Sequence, residues 1–125
     1  MYQNKSNGGF TMEIIKQTEG LTKKQIYQIT RDPAAKAIKD SVGVHQFKSF
    51  VLYSDIKNDT GKEVEILTIK TSEGVILTNS QTFIPQFLEA VEMLDGDFEK
   101  FEVIDTPTSK GRHCYQFRVA DDLFN

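Results

Sequence analysis

Lys110 and Arg112 flank Gly111 in the run Thr108-Ser109-Lys110-Gly111-Arg112, and Tyr115 and Arg118 follow on the same segment. A basic turn ahead of an aromatic residue suits one chemistry: cations track phosphates while aromatic faces stack on unpaired bases. Earlier in the chain Phe47, Lys48, Tyr53, Lys57 and Lys70 repeat that mixture. Each stacked base is worth about 1–3 kcal/mol, so a few such groups on one surface make a binding site. The ordinary reading of Phe47 is core packing, whereas tyrosine hydroxyls prefer water. Lys110 and Arg112 have no role to play in a core.

Other chemistries find less support. A nucleophilic centre needs a nucleophile, a base and an orienting group together, and Cys114 with His113 or His45 is the only combination present. Neighbours on a strand point to opposite faces, so His113 cannot activate Cys114. Two histidines and one cysteine give no zinc-like ligand set. There is no Walker loop or GxGxxG, and the acidic cluster over 95–105 lacks the spacing of a calcium loop. The expectation is a protein that is not an enzyme and uses no metal or cofactor.

The net charge of -3 argues against nucleic-acid binding by overall charge, but charge is unevenly spread. Residues 12–57 carry Lys16, Lys23, Lys24, Arg31, Lys36, Lys39, Lys48 and Lys57 against five acidic residues, while 89–105 carry seven acidic residues against Lys100 alone. Local patches, not net charge, set phosphate affinity. No apolar run approaches the roughly 18 residues of a membrane span, so no membrane partner is expected. The single cysteine, Cys114, forms no internal bridge, and a cytoplasmic, reducing setting follows.

The elements that must position these residues are a short list for 125 residues, enough for one domain. The first eleven residues read as a disordered leader. Asn7-Gly8-Gly9 ahead of Met12 is what translating a ribosome-binding sequence would give, so Met12 is a candidate native start. A helical preface is expected over 13–43: Thr22 caps one helix to Thr30, and Asp32-Pro33 restarts another through Ala34, Ala35 and Ala37.

Strands follow at Val44–Ile56, Glu63–Thr71 and Val75–Thr78. The first carries apolar residues of both parities, which predicts a bend or bulge near Lys48-Ser49. Ile84, Phe87, Leu88, Val91 and Leu94 then define a helix over Phe83–Leu94, closed by Gly96. Strands at Phe98–Asp105 and His113–Ala120 flank the basic turn. This β-β-β-α-β-β order predicts a mainly β fold with helices, a small five-stranded OB-fold-like barrel over 44–120, whose strand 4 to strand 5 loop holds Lys110 and Arg112. The alternative is an α+β sheet with the helix on one face.

The segments FKSFVLYSDI, KEVEILTIKT, VILTNSQTFIPQFLEAVEML and TSKGRHCYQFRVA, with the small acidic character of the chain, resemble the OB-fold single-stranded DNA-binding proteins of phages that infect Gram-positive bacteria. That resemblance implies coating of single-stranded DNA in phage or mobile-element replication and recombination, often as a homo-oligomer. The end Asp121-Asp122-Leu123-Phe124-Asn125 is similar to the acidic, phenylalanine-containing tip that bacterial single-stranded DNA-binding proteins offer to replication or recombination enzymes. It departs from that pattern in lacking a long linker and in ending on asparagine. The rival class is a protein-binding module that recruits or inhibits a replication enzyme.

Overall fold

The computed structural model describes residues 12–56 and 60–122. In chain order these form β1 (Glu13–Gln17), α1 (Lys23–Thr30), β2 (Lys36–Ala37), a 3-10 turn (Ile38–Asp40), β3 (Gly43–Ile56), β4 (Glu63–Thr71), β5 (Gly74–Thr78), α2 (Phe83–Leu94), β6 (Lys100–Pro107) and β7 (His113–Val119). The sheet runs β2-β5-β4-β3-β6-β7, and β1 adds to β3.

The long β3 organises everything else. Its first part pairs with β6, Gly43 opposite Val103 through Gln46 opposite Lys100. Its second part carries β4 along one edge and β1 along the other. The pairing with β4 shifts between Phe47 and Ser49, leaving Lys48 as the extra residue of a bulge. That bulge is the one expected from the mixed parity, and it lets Phe47, Phe50 and Leu52 reach one core.

The concave side of the curled sheet is filled by α2. Phe83 and Phe87 are fully buried against Leu67, Ile69, Phe101 and Val103, each contributing about 1.5–3 kcal/mol through burial. All seven phenylalanines of the described residues join this cluster, with Phe87 edge-on to Phe50 at 5.1 Å and to Phe117 at 5.4 Å. Ser80 caps the helix, its Oγ accepting from the Thr82 and Phe83 N–H groups at 3.3 and 3.0 Å. Gly96 closes it at φ 73°, donating to the Val91 carbonyl at 2.8 Å.

Two expectations need correction. The preface is not a helical hairpin: it opens with β1, and only α1 is a helix, capped by Thr22 and Gln25 in a reciprocal pair. After Asp32-Pro33 the alanines make a turn, with Ala34 N–H donating to Asp32 Oδ1 at 2.9 Å and Ala35 N–H to the Asp32 carbonyl at 3.1 Å. The chain then pairs with β5 and buries Ile38, a gain the modest helix preference of alanine does not match.

The barrel is also not closed. Closure needs β5 to meet β7, but β5 takes β2 as a parallel neighbour, Lys36 opposite Ile76 and Ala37 opposite Leu77. The result is a mainly β, barrel-like fold built on a curled, open half-barrel sheet. Its convex face carries a second, smaller cluster in which Ile29 of α1 packs on Val51 and Tyr53. Among the described residues no helix is long and apolar enough to cross a membrane.

Candidate nucleic-acid interface

The turn between β6 and β7 is tightly closed on itself. Thr108 N–H donates to the Arg112 carbonyl at 2.7 Å, Gly111 N–H to the Thr108 carbonyl at 3.1 Å, and Arg112 N–H to Thr108 Oγ1 at 3.2 Å. Gly111 sits at φ 77°, a conformation a side chain would strain. Lys110 and Arg112 are exposed on this turn.

The strand that leaves this turn supplies the aromatic partner. His113 and Tyr115, two apart and so on one side of β7, stack with ring centroids 6.4 Å apart and planes 16° from parallel. Asp105, opposite Tyr115 on β6, holds His113 by its Nδ1 at 2.7 Å. Tyr115 is half-buried, its inner part packed against the main core. Both rings border a groove of about 540 Å³ shared with Lys39, Val64, Ile66 and Leu77. This groove lies at the seam where β7 fails to meet β5.

The remaining residues expected to bind scatter. Lys48 is exposed on the bulge and lines a different groove beside Lys16 and Phe98. Lys70 is half-buried on the convex face of β4 and lines a groove at α1 with Arg31. Arg118 is paired with Glu102 across the β6–β7 hairpin. Phe47 stacks on Phe98 at 4.7 Å and belongs to the core.

Tyr53 has no face to offer a ligand, being only 4% exposed beneath α1. Burial pushes its phenol above the ordinary value of 10.0, against the opposing pull of the Arg31 guanidinium, whose centre lies 5.8 Å from the ring. Lys57, Leu123 and Phe124 lie outside the described residues. Asp121 is not part of a loose tip: its carboxylate accepts from Glu99 N–H at 2.9 and 3.0 Å and from Lys100 N–H at 2.7 Å, fastening the chain end to the start of β6. Asp122 beside it is exposed.

Pairing of β2 with β5 sets Lys39 beside Leu77, and pairing of β4 with β5 adds Val64 and Ile66, long-range events that no local pattern reports. The His113–Tyr115 stack did have one, the two-residue spacing on a strand. Cys114 borders the same groove, half-buried. Among the described residues no three His, Cys, Asp or Glu side chains gather where a metal ion could be held. No protein-family model, curated protein or solved structure matches this chain.

Proposed function

We propose that this protein binds single-stranded DNA without sequence preference, in the groove between the β6–β7 turn and the β2–β5 edge. The observation that carries the reading is the convergence on one groove of a parallel aromatic stack, His113 and Tyr115, an apolar floor, and Lys39, with Lys110 and Arg112 exposed on the adjoining turn. Stacking requires bare base faces, which a duplex does not offer, so the groove favours single strands. The half-barrel is, in this reading, an OB-fold opened at its seam, and the turn is the loop that such folds use to hold oligonucleotides.

The net charge of -3 gives no long-range attraction to DNA, so affinity rests on these few cations and falls steeply with salt. The role that follows is coating of single strands in phage or mobile-element replication and recombination, in the cytoplasm of a host cell, as a homo-oligomer. The test is titration of labelled oligo-dT and of a duplex of equal length at low salt. Oligo-dT binds at micromolar concentration or tighter and the duplex more weakly; the double variant Lys110→Ala, Arg112→Ala loses at least tenfold in affinity while keeping its melting temperature. Unchanged affinity in that variant removes the site.

One observation favours a second reading, a module that recruits or inhibits a replication enzyme. Met93 is 75% and Leu94 40% exposed on α2, bordering a groove with Phe117 and Val119 of β7. An apolar groove on a sheet edge suits a protein partner. Under this reading oligo-dT fails to bind and a Met93→Asp variant loses a partner that the wild type captures.

A further inference from the structure

The seam groove is not the only place where an aromatic face and cations share a concavity. A second groove of about 500 Å³ lies between α1 and the convex face of β4 and β5, lined by Tyr27, Gln28, Arg31, Pro33, Lys70 and Val75. The apolar side of α1 is spent on Ile26 and Ile29, which pack toward Val51 and Tyr53. Tyr27 stands off that side and is 69% exposed, so its ring does nothing for the core.

The charge around this groove is mostly positive. Lys70 and Arg31 line it, Lys23 and Lys24 open α1, and no acidic residue occupies the first turn of that helix, where the dipole favours anions. Arg31 is held in place over the Tyr53 ring, with its Nη2 3.7 Å from Met12 Sδ. The one carboxylate in the lining, Asp32, has its Oδ1 turned to the Ala34 N–H at 2.9 Å.

The two grooves are neighbours in the fold. Residues 32–40 wall both: Asp32 and Pro33 border the groove at α1, and Ala37, Ile38 and Lys39 border the one at the seam. On the convex face of the sheet Lys70 lies opposite Val75 and, one step along, Thr68 opposite Leu77. Val75 belongs to the first groove and Leu77 to the second, two residues or about 7 Å apart along β5. One or two nucleotides of a single strand cover that distance, with Lys39 on the seam side of the path.

We infer that a single strand held at the seam continues into the groove at α1, where Tyr27 stacks a base and Lys70 meets a phosphate. This rests on the single-strand reading above and adds to it a second contact site and a direction for the strand. The site at the seam takes the first nucleotides, and only a longer strand reaches Tyr27.

The experiment compares oligo-dT of about four and about sixteen nucleotides, the range of site sizes for one domain of this kind, on the full chain. In Tyr27→Ala the affinity for the long oligomer falls by about 5- to 150-fold, the loss of one stacked base, while the short oligomer binds as to wild type. Tyr27→Phe, which keeps the stacking face, retains wild-type affinity for both. A long oligomer that binds Tyr27→Ala as tightly as wild type overturns the α1 site and leaves the seam site standing. Failure of wild type to bind either length removes the single-strand reading and this one with it.

Discussion

At the scale of single residues, Tyr53 carries the clearest lesson. Strand parity puts it on the face opposite Phe50 and Leu52, and its hydroxyl, which prefers water, reads as exposed from sequence alone. What the spacing cannot convey is that α1 folds back over that face, so Tyr53 ends in a small core of its own. The buried phenol holds its proton above the ordinary value of 10.0. In the unfolded chain it ionises near 10.0, so above that pH the unfolded state releases a proton that the folded state retains. Stability from this group is therefore complete below pH 10 and declines as pH rises beyond it. Thermal melts followed by circular dichroism at pH 9 and pH 11 check the sign: wild type loses more stability across that interval than Tyr53→Phe, and equal losses contradict it. Asp121 teaches the converse, since an acidic residue near a chain end looks like a free tip until its backbone donors, a long way off in sequence, are seen.

At the scale of elements, what was legible is what local pattern determines. The bounds of β4 and α2 follow directly from their apolar spacing, and the bulge at Lys48 follows from the two parities of β3. The preface was not legible for the opposite reason. Glu13–Gln17 shows no alternation and is a strand only because the edge of β3 is there to pair with it. Lys36–Ala37 is likewise a strand only because β5 lies beside it. The end of α2 offers a prediction of its own. Asp95 adopts the left-handed conformation at φ 52° and puts a negative charge at the helix C-terminus, both unfavourable. Asp95→Gly relieves both and stabilises the fold by about 0.5–1 kcal/mol, a rise in melting temperature of about 2–5 °C. A lower melting temperature would mean that the carboxylate contributes something this account omits.

At the scale of the whole molecule, the open seam decides what kind of site the protein can have. The order of strands from β3 to β7 is the one read from sequence, but closure is a long-range event between β5 and β7 that no local signal reports. Because β2 takes the edge of β5, the seam stays open as a groove, and the basic turn and the His113–Tyr115 stack border it instead of sealing it. The proposed site is therefore electrostatically small on an acidic protein. Under the single-strand proposal Lys39, Lys110 and Arg112 make about three phosphate contacts, which give a slope of log affinity against log salt of about -2. The most direct test is that slope, measured with a short oligo-dT for wild type and for Lys110→Ala, Arg112→Ala. A slope near -2 that weakens to about -0.7 in the double variant is expected. A wild-type slope unchanged by removing both turn cations, or no binding at low salt, would contradict it.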